Sequence, residues 1–99
     1  MVTKAFVVRL VAKAGKEEEV AAFLAGALPL AIAEEFTTTW FALRTAPSIF
    51  YIVDTFANDA DRQKHLVGAI ADALMAKAPE LLAERPQIDP ADILAVKLP

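Results

Sequence analysis

KAFVVRLVAK, residues 4–13, is the stretch that decides the fold, because its Val, Phe and Leu content predicts a β-strand. Successive side chains of a strand point to opposite faces. One face carries Ala5, Val7, Arg9 and Val11, and the other carries Phe6, Val8, Leu10 and Ala12. Only Arg9 interrupts the apolar character of the two faces. A strand of this kind is typical of a sheet that is covered on both sides.

The first helix is predicted over residues 16–33. Its first turn carries Glu17–Glu19, where the helix dipole favours negative charge. An apolar stripe follows at helical spacing, made of Val20, Leu24, Ala27, Leu28 and Ala31. Pro29 interrupts the helix, and we expect a kink near Gly26.

Two strands and a second helical region come next. Residues 37–44 and 49–56 are rich in Thr, aromatic and β-branched residues and are closely linked, so an antiparallel hairpin is predicted. Asn58 is expected to begin the next helix by capping the amide of Asp61. This helical region is predicted to bend near Gly68 and to end at about Ala78.

Prolines determine the prediction for the C-terminal part. Pro79 is expected to start a separate short turn that runs through Glu84. Pro90 argues against a strand before Ala91, so the last strand is predicted over Asp92–Lys97.

The resulting order, βαββαβ, predicts a single α+β domain over residues 1–99. Two helical regions can cover only one face of the sheet, and the chain supplies no cover for the other face. A bare apolar face would exceed the roughly few hundred Å² that monomers usually expose. We therefore expect a homodimer whose copies meet sheet to sheet.

Composition argues against several classes of function. The net charge of −3 includes no basic stripe, which argues against nucleic acid as a partner, and no apolar run approaches a membrane span. The chain has no cysteine and one histidine, which argues against disulfides and a transition-metal site. Three scattered glycines do not form a phosphate-binding loop. Residues 1–9 lack a signal-peptide pattern, and the cytoplasm is the expected location.

Two segments resemble the antibiotic biosynthesis monooxygenase family. VVRLVAKAGKEEEV, residues 7–20, is similar to the family's first strand and its turn into the first helix. Residues 50–66 resemble a later part of the family, with the strand end Asp54-Thr55-Phe56 and the helical element Lys64-His65-Leu66. The resemblance extends from Val7 to about Ala78.

The resemblance implies a ferredoxin-like α+β sandwich with an antiparallel sheet, which dimerises through its sheets into an α/β barrel. It also implies an oxygenase that needs no cofactor, because many members of the superfamily act on phenols or quinols without one. Haem-degrading members carry an Asn on the first strand and a His on the second helical region. This chain has Val8 and Met75 there, so no haem is expected.

Five residues are candidates for a site. His65 is the catalytic candidate, since an imidazole can transfer protons at neutral pH, although it could equally bond a backbone carbonyl at a helix end. Trp40 and Tyr51 could wall a pocket for a small aromatic ligand, and Trp40 could instead lie in a core or a dimer interface. Arg9 could anchor an ionised oxygen or pair with Asp54 or a neighbouring Glu. Asp54 could bind substrate or support the turn that follows its strand.

Two functions are consistent with these residues. The first is a cofactor-independent monooxygenase for a small aromatic or quinol-like substrate held between sheet and helices. The second is a non-catalytic dimer of the same fold that binds a small ligand or serves as an interaction module. One fold hosts many functions, so the family resemblance does not choose between them.

Overall fold

The computed structural model describes residues 1–99 and contains one antiparallel sheet of four strands in the order β2-β3-β1-β4. The elements are β1 (Lys4–Val11), α1 (Glu17–Gly26), α2 (Leu28–Ala33), β2 (Thr39–Ala46), β3 (Ile49–Phe56), α3 (Asp59–Leu66), α4 (Ala69–Leu81) and β4 (Gln87–Asp92). The predicted α+β, ferredoxin-like βαββαβ arrangement is confirmed.

Each helical region is divided in two, close to where the sequence predicts an interruption. α1 ends at Gly26, and Pro29 occupies the first turn of α2, where its missing N–H costs no hydrogen bond. Gly68 separates α3 from α4. The side chain of Asn58 accepts a hydrogen bond of 2.9 Å from the Asp61 amide, which confirms the predicted cap of α3.

Two predictions about the C-terminal part are wrong. Pro79 lies inside α4 and starts no separate turn, because the last helical turn buries Ala78 and Leu81 in the core and this packing outweighs the lost hydrogen bond. The last strand is Gln87–Asp92, which includes Pro90 and ends where the predicted strand begins. β4 is an edge strand, and an edge tolerates a residue without a backbone donor.

The core lies between one face of the sheet and the helices. The sheet contributes six apolar side chains to it from β1 and β3, namely Phe6, Val8, Leu10, Phe50, Ile52 and Phe56. α1 and α4 cover them with Val20, Leu24, Leu74 and Leu81. This side of the sheet is called the helix side below.

The opposite side of the sheet, called the bare face, has no helix on it. Its central strands present Val7, Val11, Tyr51 and Val53, and β2 adds Phe41 and Leu43, which are 55% and 45% exposed. β4 is more polar than the central strands, because its Gln87 and Asp89 face this side of the sheet. None of the four helices has the length and apolar character that a membrane crossing requires.

Candidate functional site

The five candidate residues lie on two different sides of the sheet. His65, Asp54 and Trp40 lie on the helix side, where Trp40 and Asp54 are directly opposite each other on β2 and β3. Arg9 and Tyr51 are cross-strand neighbours on the bare face. The structure therefore brings three of the candidates together and separates the other two from them.

Arg9 is paired within the chain. Its Nη1 lies 3.1 Å from Glu84 Oε1, just beyond α4. Asp54 cannot be its partner, because the two side chains point to opposite faces of the sheet. The sequence suggests either an anchor for a ligand or an ion pair for Arg9, and the structure contains the ion pair with a neighbouring Glu.

His65 lies between two carboxylates in the last turn of α3. Its Nδ1 is 2.7 Å from Glu34 Oε1, and its Nε2 is 2.9 Å from Asp54 Oδ2. The Nδ1 contact is a well-formed hydrogen bond. The Nε2 contact with Asp54 is an ion-pair contact whose geometry does not meet the criteria of a hydrogen bond. We call Glu34, His65 and Asp54 the buried triad.

Three different elements position the triad. Glu34 is the residue that ends α2, Asp54 is on β3, and His65 is on α3. Asp54 alternates with the core residues Ile52 and Phe56, which explains why a carboxylate on this strand is fully buried. The rings of Phe56 and Phe6 pack against the imidazole at centroid distances of 5.2 and 6.2 Å.

Burial makes the electrostatics of the triad strong. Asp54 is 0% exposed, and Glu34 and His65 are each 7% exposed. Burial by itself would lower the pKa of His65, but the contacts with Asp54 and then Glu34 outweigh it and raise the pKa above its ordinary value. The two carboxylates therefore favour the charged form of the imidazole.

Several polar atoms at this site have no hydrogen-bond partner. Asp54 Oδ1, Glu34 Oε2 and Trp40 Nε1 are all buried and unpaired. The last of these is a donor on the strand position directly opposite Asp54. Unpaired buried polar atoms each cost about 1–3 kcal/mol, so their concentration here distinguishes the site from an ordinary core.

Thr37 connects the triad to the surface. Its hydroxyl donates a 2.9 Å hydrogen bond to Glu34 Oε1 and lies 3.4 Å from His65 Nδ1. Thr37 is half-buried, whereas all three triad side chains are buried. A molecule at the surface would therefore meet this hydroxyl before it met any of the charged groups.

A cavity of about 280 Å³ opens between α2 and the start of β2. One wall is formed by Leu28, Ala31 and Ile32 of α2, and the other by residues 37–40 at and just before the start of β2. Its volume is near the lower limit of ligand pockets, about 300 Å³. A larger cavity of about 380 Å³ lies at the end of α4. No triad residue lines either cavity, but Thr37, which contacts Glu34, lines the smaller one.

The triad is not arranged as a metal site. Both ring nitrogens of His65 are already in contact with carboxylates, and no group of three His, Asp or Glu side chains in the chain is arranged to hold a metal ion. The residues around the cavity offer a hydroxyl, an indole and apolar side chains.

Sequence reasoning did not identify Glu34 or Thr37. A signal for Glu34 exists, because the buried stripe Val20, Leu24, Ala27 and Ala31 reaches Glu34 at the next helical step. A carboxylate on the buried face of a helix predicts a buried partner. Thr37 lies outside regular structure, between α2 and β2, and nothing in its immediate sequence distinguishes it from Thr38 and Thr39.

Comparison with known proteins gives relatives of the fold. No family profile and no protein of curated function matches the chain. One match is the crystal structure of a Nitrosomonas europaea protein of unknown function, which is 55% identical in sequence and has a TM-score of 0.97. The match covers 100% of this chain and 96% of that chain.

Two further solved structures share the fold and are named "putative antibiotic biosynthesis monooxygenase". The one from Nitrosomonas europaea is 17% identical with a TM-score of 0.82, and the match covers 93% of this chain and 90% of that chain. The one from Bordetella bronchiseptica is 17% identical with a TM-score of 0.79, and the match covers 96% and 100%. At this identity the likeness concerns the fold alone.

Proposed function

We propose that this chain, which belongs to the same family as the Nitrosomonas europaea protein of unknown function and has the antibiotic biosynthesis monooxygenase fold, is a cofactor-independent monooxygenase. Its substrate would be a small aromatic molecule with an acidic hydroxyl or methylene group, such as an anthrone or a quinol. The observation that carries the proposal is the buried triad directly behind the wall of a cavity.

The reaction needs the substrate to lose a proton before it meets oxygen. An anthrone that has become an anion can pass electrons to O₂ directly. One oxygen atom then becomes the carbonyl oxygen on the ring carbon, and the other leaves as water with the two hydrogens that this carbon loses. The protein needs to supply a base, exclude water and hold the ring.

The triad supplies the base in this proposal. Of the two carboxylates that contact His65, Glu34 is the one that is linked to the cavity wall through Thr37. Glu34 accepts the proton of the substrate, and His65 and Asp54 stabilise the charged groups that are present before and after this transfer. Trp40 forms an aromatic wall of the cavity, as the sequence suggests.

Oxygen uptake tests the proposal. The assay uses anthrone and 1,4-naphthoquinol with the wild type, Glu34→Gln and His65→Ala, and with the exposed neighbour Glu35→Gln as a matched control. Loss of a general base typically costs about 10²–10⁴-fold in rate, so Glu34→Gln should lose that much while Glu35→Gln stays near the wild type. Absence of uptake by the wild type with both substrates would refute the proposal.

One observation favours a second function, a ligand-binding or interaction module without catalysis. Both ring nitrogens of His65 contact carboxylates, so the triad can also act as a structural ionic cluster that joins three elements. In that case a phenol would bind in the cavity, no oxygen would be consumed, and Glu34→Gln would change stability alone.

We also propose that the protein is a homodimer in the cytoplasm, with the bare face as the interface. Phe41 is 55% exposed, and burying the rest of a ring of about 150–250 Å² would contribute about 2–3 kcal/mol per copy. Leu43→Glu should therefore shift sedimentation toward the monomer, whereas Val67→Glu, at a residue that is 79% exposed just after α3, should not. A wild-type monomer at micromolar concentration would contradict the dimer, and cell fractionation tests the location.

A further inference from the structure

We propose that Thr37 determines which ligands the cavity accepts, because its hydroxyl can only accept a hydrogen bond from a ligand and cannot donate one. This inference rests on the proposed function in that it concerns the same cavity. It adds a rule of specificity. The ligand must present a hydroxyl donor at Thr37, as a quinol does and as an anthrone does in its enol form, and the corresponding ether is bound more weakly.

The direction of the hydrogen bonds carries the argument. A threonine hydroxyl has one hydrogen to donate and two lone pairs that accept. An ionised carboxylate only accepts, so the 2.9 Å contact with Glu34 Oε1 uses the hydrogen of Thr37. The hydrogen on His65 Nδ1 is directed to the same carboxylate oxygen at 2.7 Å. What remains available on the Thr37 oxygen is a lone pair.

The rest of the cavity strengthens this selection. Leu28, Ala31 and Ile32 provide only apolar side chains on the opposite wall. On the strand side, the hydroxyl of Thr39 is paired with that of Thr55. Thr38 also lines the cavity, but it is exposed and makes no side-chain hydrogen bond, so its hydroxyl can rotate to suit a donor or an acceptor. Among the cavity threonines, only Thr37 is fixed in direction by the triad.

The selection has a consequence for turnover. A substrate hydroxyl that donates to Thr37 is matched, whereas a product whose oxygen has become a carbonyl brings an acceptor against an acceptor. The cavity is thus expected to hold the reduced, hydroxyl-bearing form more tightly than the oxidised form. Release of an oxidised product is favoured by the same contact that selects the substrate.

The test measures binding by fluorescence, because Trp40 is the single tryptophan of the chain and lines this cavity. The probes are 4-nitrophenol and its methyl ether, 4-nitroanisole, at a pH where the phenol is neutral. One hydrogen bond contributes about 1 kcal/mol net, which corresponds to about a fivefold preference for the phenol. We expect this preference in the wild type and in Thr37→Ser, with quenching corrected for probe absorbance.

Thr37→Val keeps the shape of the side chain and removes the lone pair, so the ratio of the two dissociation constants should fall to about one. Thr45→Val, at an exposed threonine of β2 outside the cavity, is the matched control, and it should retain the wild-type ratio. A ratio near one in the wild type, no binding of either probe, or an unchanged ratio in Thr37→Val would overturn the proposal. Failure of the monooxygenase proposal is distinguishable, because it removes oxygen uptake and leaves the binding ratio intact.

Discussion

Replacing His65 by glutamine should destabilise the protein severely, because it removes the cation from between two buried carboxylates. Glu34 is 7% exposed and Asp54 is 0% exposed, so neither charge can be hydrated in the folded state. Removal of one member of a buried ion pair costs about 3–5 kcal/mol. Domains of this size unfold with a total of about 5–15 kcal/mol, so the variant would lose a large part of its stability.

The expected loss is large enough to read in two independent assays. About 1 kcal/mol corresponds to about 4–8 °C of melting temperature in a domain of this length, so His65→Gln should melt at least about 12 °C below the wild type. Urea unfolding at pH 7, followed by Trp40 fluorescence and by circular dichroism, gives the free energy of unfolding directly. Glu35→Gln is the control, and it should stay within about 0.5 kcal/mol of the wild type.

A double-mutant cycle separates the interaction from the two single effects. His65→Gln and Glu34→Gln should each be costly alone, but the double variant should lose about 1–3 kcal/mol less than their sum, because the second substitution removes a carboxylate that has already lost its partner. Additive losses, within about 0.5 kcal/mol, would refute the reasoning that the two groups are coupled in the folded state.

Three further predictions concern the same region. Gly68→Ala should lose about 1–2 kcal/mol in urea unfolding, since the new Cβ would lie 2.7 Å from Glu34 Oε2. In Gly26→Ala the new Cβ meets no atom within 4 Å, so this variant should be neutral or stabilising. Equal effects of the two substitutions would contradict the close packing around Glu34. The pKa of His65 is raised in the folded state, so its contribution to stability is complete below about pH 6.5 and is lost as the pH rises through the folded-state pKa. The urea midpoint should therefore fall between pH 6 and pH 9. A flat profile would count against the ion pairs. Arg62→Met should lose about 2 kcal/mol in thermal unfolding, because the Arg62 side chain is only 13% exposed and its guanidinium donates hydrogen bonds to carbonyls on β1 and β4. An unchanged melting temperature would show that these hydrogen bonds make no net contribution to stability.

The order of the elements could be predicted from sequence because each depends on local signals. Alternating and periodic apolar residues mark the first three strands and the helices, and Asn58 marks the start of α3. The two errors at the C-terminal end share one cause. The predictions for Pro79 and Pro90 both rest on the intrinsic preference of proline. The structure places Pro79 in a helical turn whose neighbours Ala78 and Leu81 are buried, and Pro90 on a sheet edge, and the preference is overridden at both positions.

The candidate site was predicted only in part, since its groups come from elements that are distant in sequence. His65 stands out as the single histidine, and Asp54 as a charge within an apolar strand. Their contact depends on how α3 returns across the sheet, which no local pattern reveals. Glu34 and Thr37 enter through the connection between α2 and β2, whose conformation depends on the packing of both elements.

The strand order has a consequence for how the chain is synthesised and folded. β1 is central in the sheet and pairs with both β3 and β4, so the Lys4 side chain meets its partner Asp92 only after 88 further residues have been made. At about 5–20 residues per second, β4 follows β3 out of the ribosome by roughly 2–7 s, during which one side of β1 has no strand to pair with. The β2–β3 hairpin and β1 can assemble in that interval, whereas closure of the sheet must wait. The pairing that completes the fold is thus also the slowest to become available, and a nascent chain is open to association with another chain along β1 until then.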